Sequence, residues 1–294
     1  MGTTYDVIVI GAGHAGCEAA LASARMGVRT LMLNLYLDNT ALMPCNPSIG
    51  GPAKGHLVRE GSALGGEQAR AADASTMLVR WLNTSKGPAV RALRAQCDLH
   101  DYRDHYVKVL QTTPNLDVHQ DTVTDIVVEE GRVRGVRTLY GLAYEAKAIV
   151  VTTGTYLRSL VHVGFTSFRS GPMGQNSSTE LSNSLEDAGV RLERIRTDTT
   201  PRLHLDTIDS SSLVEQRSDP EPLCFDLWGE GRVYDGYACL LTRSTPGTHD
   251  VIHANLERSP LYKGKMEGLG PRYCPSIEDK VVRFPEKGSH PIFL

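Results

Sequence analysis

The sequence predicts an α/β fold built on a Rossmann-like nucleotide-binding unit, and three observations carry that prediction. Tyr5 to Ile10 is a compact β-branched run, the pattern of a parallel strand buried on both faces. GAGHAG follows at once, at Gly11–Gly16. Cys17 to Met26 is then Ala-rich and helix-prone, Gly27 stops it, and Val28 to Leu33 reads as a second strand.

The glycine spacing acquires meaning from that context. Gly11 permits the tight turn, Gly13 lets the backbone approach a pyrophosphate, and Gly16 allows close packing of helix on strand. The helix N-terminus favours the phosphate charge. Asn34 stands where a ribose-binding acid is expected; its amide can still bond a hydroxyl, and Asp38 is a nearby acid.

Further along, residues 34–66 are rich in Pro and Gly and read as a long functional loop. Residues 88–110 read as a helix begun by Pro88. Leu116–Val118, Thr122–Val128, Val133–Leu139 and Ala148–Thr152 read as strands, and 180–190 as a helix closed by Gly189. Between about 200 and 260, short strands and turns suggest an inserted, mainly antiparallel region. Val281–Phe284 and Pro291–Leu294 read as strands, and the apolar, uncapped ending suggests a chain cut from something longer. The expected organisation is a nucleotide-binding domain over 1–198, an insert over 199–270 and the start of a return segment over 271–294, leaving that domain incomplete.

Composition excludes several classes. Of 294 residues, 22% are charged and 40% hydrophobic, with a net charge of −3, which fits a folded globule rather than a disordered chain. No apolar run reaches the roughly 18 residues of a spanning helix, and no signal peptide is visible. Six cysteines without a CxxC point to a reducing, cytoplasmic setting. The histidines show no metal-binding spacing, so no metal site is expected. A slightly acidic total requires any nucleic-acid site to be a local patch.

Three further motifs can carry chemistry. In MPCNPSIGGPAKGHLVRE (43–60), Cys45 sits in a stiff Pro-bounded loop, with Lys54, His56 and Arg59 following. Cations near a thiol favour the thiolate, although a small cysteine packed in a rigid loop is the plainer reading. In GLGPRYCPSIEDK (268–280), Cys274 precedes Pro275, and Glu278 and Asp279 are either acid–base groups or partners of Lys280 and Arg283. Cys17, Cys97, Cys224 and Cys239 lie in patterned surroundings and read as core fillers. Residues 80–94 carry Arg80, Lys86, Arg91 and Arg94 without an acid, a phosphate-binding face or a solvated one.

Taken together, DVIVIGAGHAGCEAA, CNPSIGGPAKGHLVRE, LNTSKGPAVRALRAQ, THDVIHANLERSPLYKG and GPRYCPSIEDKVVRF resemble, in that order, the MnmG or GidA family of tRNA-modifying FAD proteins. The resemblance implies a two-dinucleotide flavoprotein. FAD would lie on Gly11, Ala12, Gly13, His14, Ala15 and Gly16 with Asn34, and family contacts fall on Val123 and Ser178. NADH would approach Gly270, Pro271, Arg272, Tyr273, Pro275, Ser276, Ile277, Lys280 and Phe284.

The implied reaction adds an aminomethyl or carboxymethylaminomethyl group to carbon 5 of the wobble uridine of certain tRNAs. Methylenetetrahydrofolate is the one-carbon source, the GTPase MnmE is a partner, and a homodimer is expected. The family's two reactive cysteines match Cys45 and Cys274; Glu278 or Asp279 beside Cys274 would be the base. Two alternatives stay open. One is an inactive dinucleotide- or tRNA-binding homologue. The other is the sister folate- and FAD-dependent tRNA uridine methyltransferase, which CNPSIGG and GPRYCPSIEDK disfavour. The chain departs from the family at RTDTTPR (196–202), where Asp198 replaces a glycine and Thr200 a proline, at GPMGQNSS (171–178), and at Ser62.

Overall fold

The computed structural model describes residues 3–270 and 275–294. β1 (Thr3–Ile10) leads into α1 (His14–Arg25), and Gly27 turns the chain into β2 (Thr30–Asn34). Next come β3 (Ser48–Gly50), α2 (Gly55–Ala63), α3 (Gln68–Ser75), β4 (Thr76–Leu82), β5 (Ala92–Cys97), α4 (Leu99–Thr112) and β6 (Leu116–Gln120). A meander of β7 (Val123–Glu129), β8 (Arg132–Thr138) and β9 (Ala143–Val151) follows. The rest comprises a hairpin of β10 (Leu160–Val163) and β11 (Thr166–Arg169), then α5 (Glu180–Asp187), β12 (Val214–Arg217), β13 (Ala238–Arg243), α6 (Pro246–Ala254), α7 (Ile277–Arg283) and β14 (Pro291–Phe293).

The central sheet has the order β6-β2-β1-β9-β8-β7. β6, β2, β1 and β9 run parallel; β8 and β7 complete it antiparallel. β1 is central, so both its faces are covered. Val7 and Val9 join the cluster beneath α1 and α4, and Ile8 and Ile10 join the one holding Leu181 and Leu185 of α5. A fully buried aliphatic side chain such as Ile8 or Val9 contributes about 1.5–3 kcal/mol. This is the Rossmann-like arrangement the first thirty-odd residues predict.

A second sheet, β3-β5-β4, is antiparallel. It corrects the expected helix over 88–110. Pro88–Val90 form one 3₁₀ turn, β5 follows, and α4 starts only at Leu99. Leu93, Ala95 and Cys97 are buried while Arg94 and Gln96 are less so, a period of two that only a strand satisfies. Asp98 then caps α4, its carboxylate accepting the His100 and Asp101 N–H groups at 2.7 and 3.0 Å. Arg91 and Arg94 therefore share no helix face. Arg94 bonds the Ser48 hydroxyl, Arg91 the Thr84 carbonyl, and Arg80 pairs with Asp219 at 3.4 Å.

Residues 34–66 are likewise more ordered than a loop, since they hold β3 and α2. Val281–Arg283, expected as part of a strand, belong to α7. Ser276 caps that helix by accepting the Asp279 N–H, and Asp279 pairs with Arg283 one turn on. The cap and the dipole-matched charges outweigh two β-branched valines. Pro291–Phe293 does form a strand, and β14 pairs with β13 in a third sheet, β12-β13-β14.

Two tethers bind these parts. Glu67, its side chain only 5% exposed, takes Arg25 of α1 and, at 2.8 Å, His105 of α4. The bond to His105 first, then the Arg25 guanidinium, holds its carboxyl down at about 2 despite burial. Asp73 of α3 accepts the N–H groups of Phe225 and Asp226 at 2.8 Å each. Phe225 is fully buried in the cluster that also holds Val9 and Leu93, and a Cβ on Gly50 would stand 2.8 Å from its ring. No helix among the described residues is long and apolar enough to cross a membrane.

Candidate functional site

A cleft of about 360 Å³ opens at the carboxyl ends of the four parallel strands. Ile10 and Gly11 line it from β1, Leu33 and Asn34 from β2, Asp121 from just beyond β6, and Thr152–Gly154 from just beyond β9. Open parallel sheets bind their ligands at this end, where adjacent crossovers diverge.

The glycines of the turn differ in what a Cβ would meet. At Gly11, with φ of +103°, it would stand 2.5 Å from the Thr152 carbonyl oxygen. At Gly16 it would stand 1.8 Å from the Gly11 carbonyl oxygen. Both glycines are thus demanded by the chain's own packing. Gly13 is different: its φ is −72°, and a Cβ there meets nothing within 4 Å. The protein alone gives no reason for a glycine at that point. The space left beside the N-terminus of α1 suits a phosphate group.

The cleft gathers Gly11, Ala12, Gly13, His14, Ala15, Asn34, Val123 and Ser178; Gly16 lies buried behind the turn. Ser178 is fixed by its N–H on the Tyr156 carbonyl at 2.8 Å, and its own carbonyl accepts the Arg158 N–H. Asn34 turns its amide N–H to the Tyr36 carbonyl at 2.7 Å. Asp38 sits in the 3₁₀ turn Leu37–Asn39, outside the lining. Sequence reasoning missed Asp121, a buried carboxylate that accepts the Thr122 N–H at 2.7 Å. It also missed Thr152, whose hydroxyl donates to the Ile10 and Gly11 carbonyls at 2.9 and 3.1 Å. Asp121 directly follows the third parallel strand, the one signal that would have found it. Burial holds the His14 imidazole below its usual pKa, against the Tyr102 ring at 5.5 Å.

Beside the cleft, which Pro44 also lines, lies the Cys45 loop. The Cys45 thiol donates to the Asp198 carbonyl at 3.1 Å, and the Arg202 guanidinium donates to the Cys45 carbonyl. The divergent RTDTTPR segment is therefore what grips this cysteine. Of the expected cations, Arg59 instead bonds the Cys224 carbonyl at 2.9 Å, and the buried His56 Nε2 has no partner. Cys17 and Cys97 are fully buried, and burial pushes their thiols up to about 12 and about 11. Cys224 and Cys239 are half-buried, again raised by burial.

Pro271, Arg272, Tyr273 and Cys274 lie outside the described residues. Gly270 and Pro275, Ser276, Ile277, Lys280 and Phe284 are described, and none of them lines the cleft. Lys287 sits over the Phe284 ring at 4.9 Å. The two candidate acids anchor α7. Glu278 accepts the Ser259 hydroxyl and Asp279 the Tyr262 hydroxyl, each at 3.0 Å. Among the described residues no group of side chains has the arrangement of a metal site.

Comparison with known proteins agrees with this architecture. The profile of the family described as glucose inhibited division protein A matches residues 6–294. The tRNA uridine 5-carboxymethylaminomethyl modification enzyme MnmG of Heliobacterium modesticaldum is 55% identical over 290 residues, covering 99% of this chain and 46% of that protein. MnmG of Bacillus subtilis is 53% identical over 290 residues, with the same coverage of 99% and 46%. The form I crystal structure of Aquifex aeolicus GidA superposes with a TM-score of 0.91 at 45% identity, covering 99% of this chain and 50% of that one. The chain spans about half the length of the curated relatives it matches.

Proposed function

The chain belongs to the glucose inhibited division protein A family, and from that premise we propose that it is the FAD- and substrate-binding part of a cytoplasmic tRNA-modifying enzyme. The reaction is addition of a carboxymethylaminomethyl or aminomethyl group to carbon 5 of the wobble uridine. Methylenetetrahydrofolate supplies the carbon, NADH the reducing equivalents, the GTPase MnmE is the partner, and the working form is a homodimer. The observation that carries this reading is the open space at Gly13, set between two glycines that packing does require.

The residues present fit FAD. The backbone of Gly11–Ala15 and the N-terminus of α1 would hold its pyrophosphate, Asn34 and Asp121 its ribose hydroxyls, and Val123 and Ser178 would border it. Bound there, FAD supplies the redox chemistry of the one-carbon transfer. Carbon 5 of uridine is a poor nucleophile. Addition of a thiolate at carbon 6 forms an S–C6 bond and shifts the C5=C6 electron pair into an enolate, which makes carbon 5 nucleophilic. Cys45 and Cys274 are the two thiols for this chemistry, and for Cys45 it requires leaving its bond to Asp198. The segment Gly270–Phe284 is the NADH approach. As the base, Glu278 or Asp279 would act while held by Ser259 or Tyr262, since each carboxylate keeps further acceptor sites.

The test is nucleoside analysis of tRNA incubated with the chain, FAD, NADH, methylenetetrahydrofolate and MnmE. A carboxymethylaminomethyl or aminomethyl group on the wobble uridine is the expected product. A plain methyl group would assign the sister methyltransferase. Bound flavin and tRNA without product would leave a binding module.

A further inference from the structure

Two residues before Asp198, whose carbonyl holds the Cys45 thiol, stands a cation with no role in the nucleotide cleft. The Nε and Nη1 atoms of the half-buried Arg196 are enclosed, and neither has an acceptor among the described residues. The local fold fixes the backbone that carries this guanidinium. Residues 194–196 run alongside 268–270, with the Leu269 N–H on the Arg194 carbonyl at 3.3 Å and the Arg196 N–H on the Leu269 carbonyl at 3.0 Å. Gly268 is needed for that approach, and Gly270 leaves room for the guanidinium. A Cβ on Gly268, at φ of +94°, would stand 2.5 Å from the Arg194 carbonyl oxygen; one on Gly270 would stand 3.0 Å from Arg196 Nη2.

Two residues on from Arg196, the Asp198 carbonyl holds the Cys45 thiol. The backbone on either side of Arg196 is thus held to the Cys45 loop through Asp198 and to Leu269 through the paired amides. The surroundings are cationic. Arg194 donates to the Arg158 carbonyl and Arg202 to the Cys45 carbonyl, so neither charge is neutralised there. Asp198 is the one acid in 194–202.

An arginine cannot escape burial by losing its proton. Left without an anion it is costly, and its planar fork of donors matches an oxyanion with two accessible oxygens. We propose that Arg196 is a phosphate-binding residue of the substrate site. This rests on the reading above, because the phosphate belongs either to the RNA backbone next to the target uridine or to the pyrophosphate of NADH.

The experiment compares the 294-residue chain with Arg196→Met and Arg196→Lys. Inorganic phosphate, against chloride of equal ionic strength, should raise the melting temperature of the wild type, raise that of Arg196→Lys less, and leave Arg196→Met unmoved. In chloride, Arg196→Met should melt no lower than the wild type, since an unpaired buried charge has been removed. Binding then separates the sources. An anticodon stem-loop RNA weakened about 10-fold or more, with a salt slope shallower by about one, assigns the RNA backbone. A similar loss confined to NADH assigns the dinucleotide. Equal phosphate shifts in wild type and Arg196→Met, no shift in the wild type, or a lower melting point of Arg196→Met in chloride would overturn the proposal. A phosphate shift through Arg196 with neither RNA nor NADH bound would keep the phosphate site and overturn the tRNA reading.

Discussion

Three glycines in one turn obey three different constraints, and mutation should separate them. A Cβ at Gly13 meets nothing within 4 Å, so Gly13→Val should fold and melt like the wild type yet lose FAD in a spectroscopic titration. Unchanged flavin affinity would show that the open space is not the cradle. Gly16→Ala, with its Cβ placed 1.8 Å from a carbonyl oxygen, should instead cost about 1–3 kcal/mol or more in denaturant unfolding. The cysteines divide in the same manner. Cys45→Ser should abolish wobble-uridine modification and keep flavin, whereas Cys97→Ser should keep both, its thiol being a buried filler. At this scale the turn was legible because its spacing is local. Asp121 and Thr152 were not, since the sheet brings them to Gly11 from more than a hundred residues away.

Elements were legible where one signal acted alone. β1, α1 and the meander follow directly from their patterns. The helix expected over 88–110 from Pro88 at its start failed because the burial of Leu93, Ala95 and Cys97 imposed a period of two. α7 was hidden by Val281 and Val282 until its Ser276 cap is considered. Between elements, Glu67 is the tether to probe. Its carboxyl lies near 2 in the folded chain against 4.5 unfolded, so its stabilisation is complete above pH 4.5 and is lost as pH falls toward 2. The difference corresponds to ~3 kcal/mol. Glu67→Gln should lose stability of that order at pH 7, and its stability should vary less with pH between 4.5 and 2 than that of the wild type. Parallel pH profiles in urea unfolding would show that Glu67 is not the tether.

Across the whole molecule, the fold class could be read from the opening βαβ unit, but the boundary expected near residue 198 gives no hint of what the core does there. One hydrophobic cluster runs from Val9 through Leu93 to Leu223, Phe225 and Tyr234. Phe225→Ala should therefore cost about 3–5 kcal/mol, although the residue lies far along the chain from the nucleotide cleft. Trp81 on β4, packed against that cluster, and the exposed Trp228, three residues after Phe225, serve as reporters for the two sides of that contact. Their fluorescence, read separately in Trp81→Phe and Trp228→Phe chains, should change in one shared unfolding transition. Two separated midpoints would mean that the insert folds on its own.

The pairing of β1 with β9, in which Val7 meets Ala148 and Ile10 meets Val151, sets a waiting time during synthesis. At 5–20 residues per second, roughly 7–30 s separate the emergence of these two strands from the ribosome. Over that interval the apolar run Val7–Ile10 carries an unpaired edge, an invitation to another nascent chain or to a chaperone. Ribosome-stalled chains ending before β9 should be cut readily by protease and captured by chaperones. Chains in which β9 has cleared the ribosome should resist both.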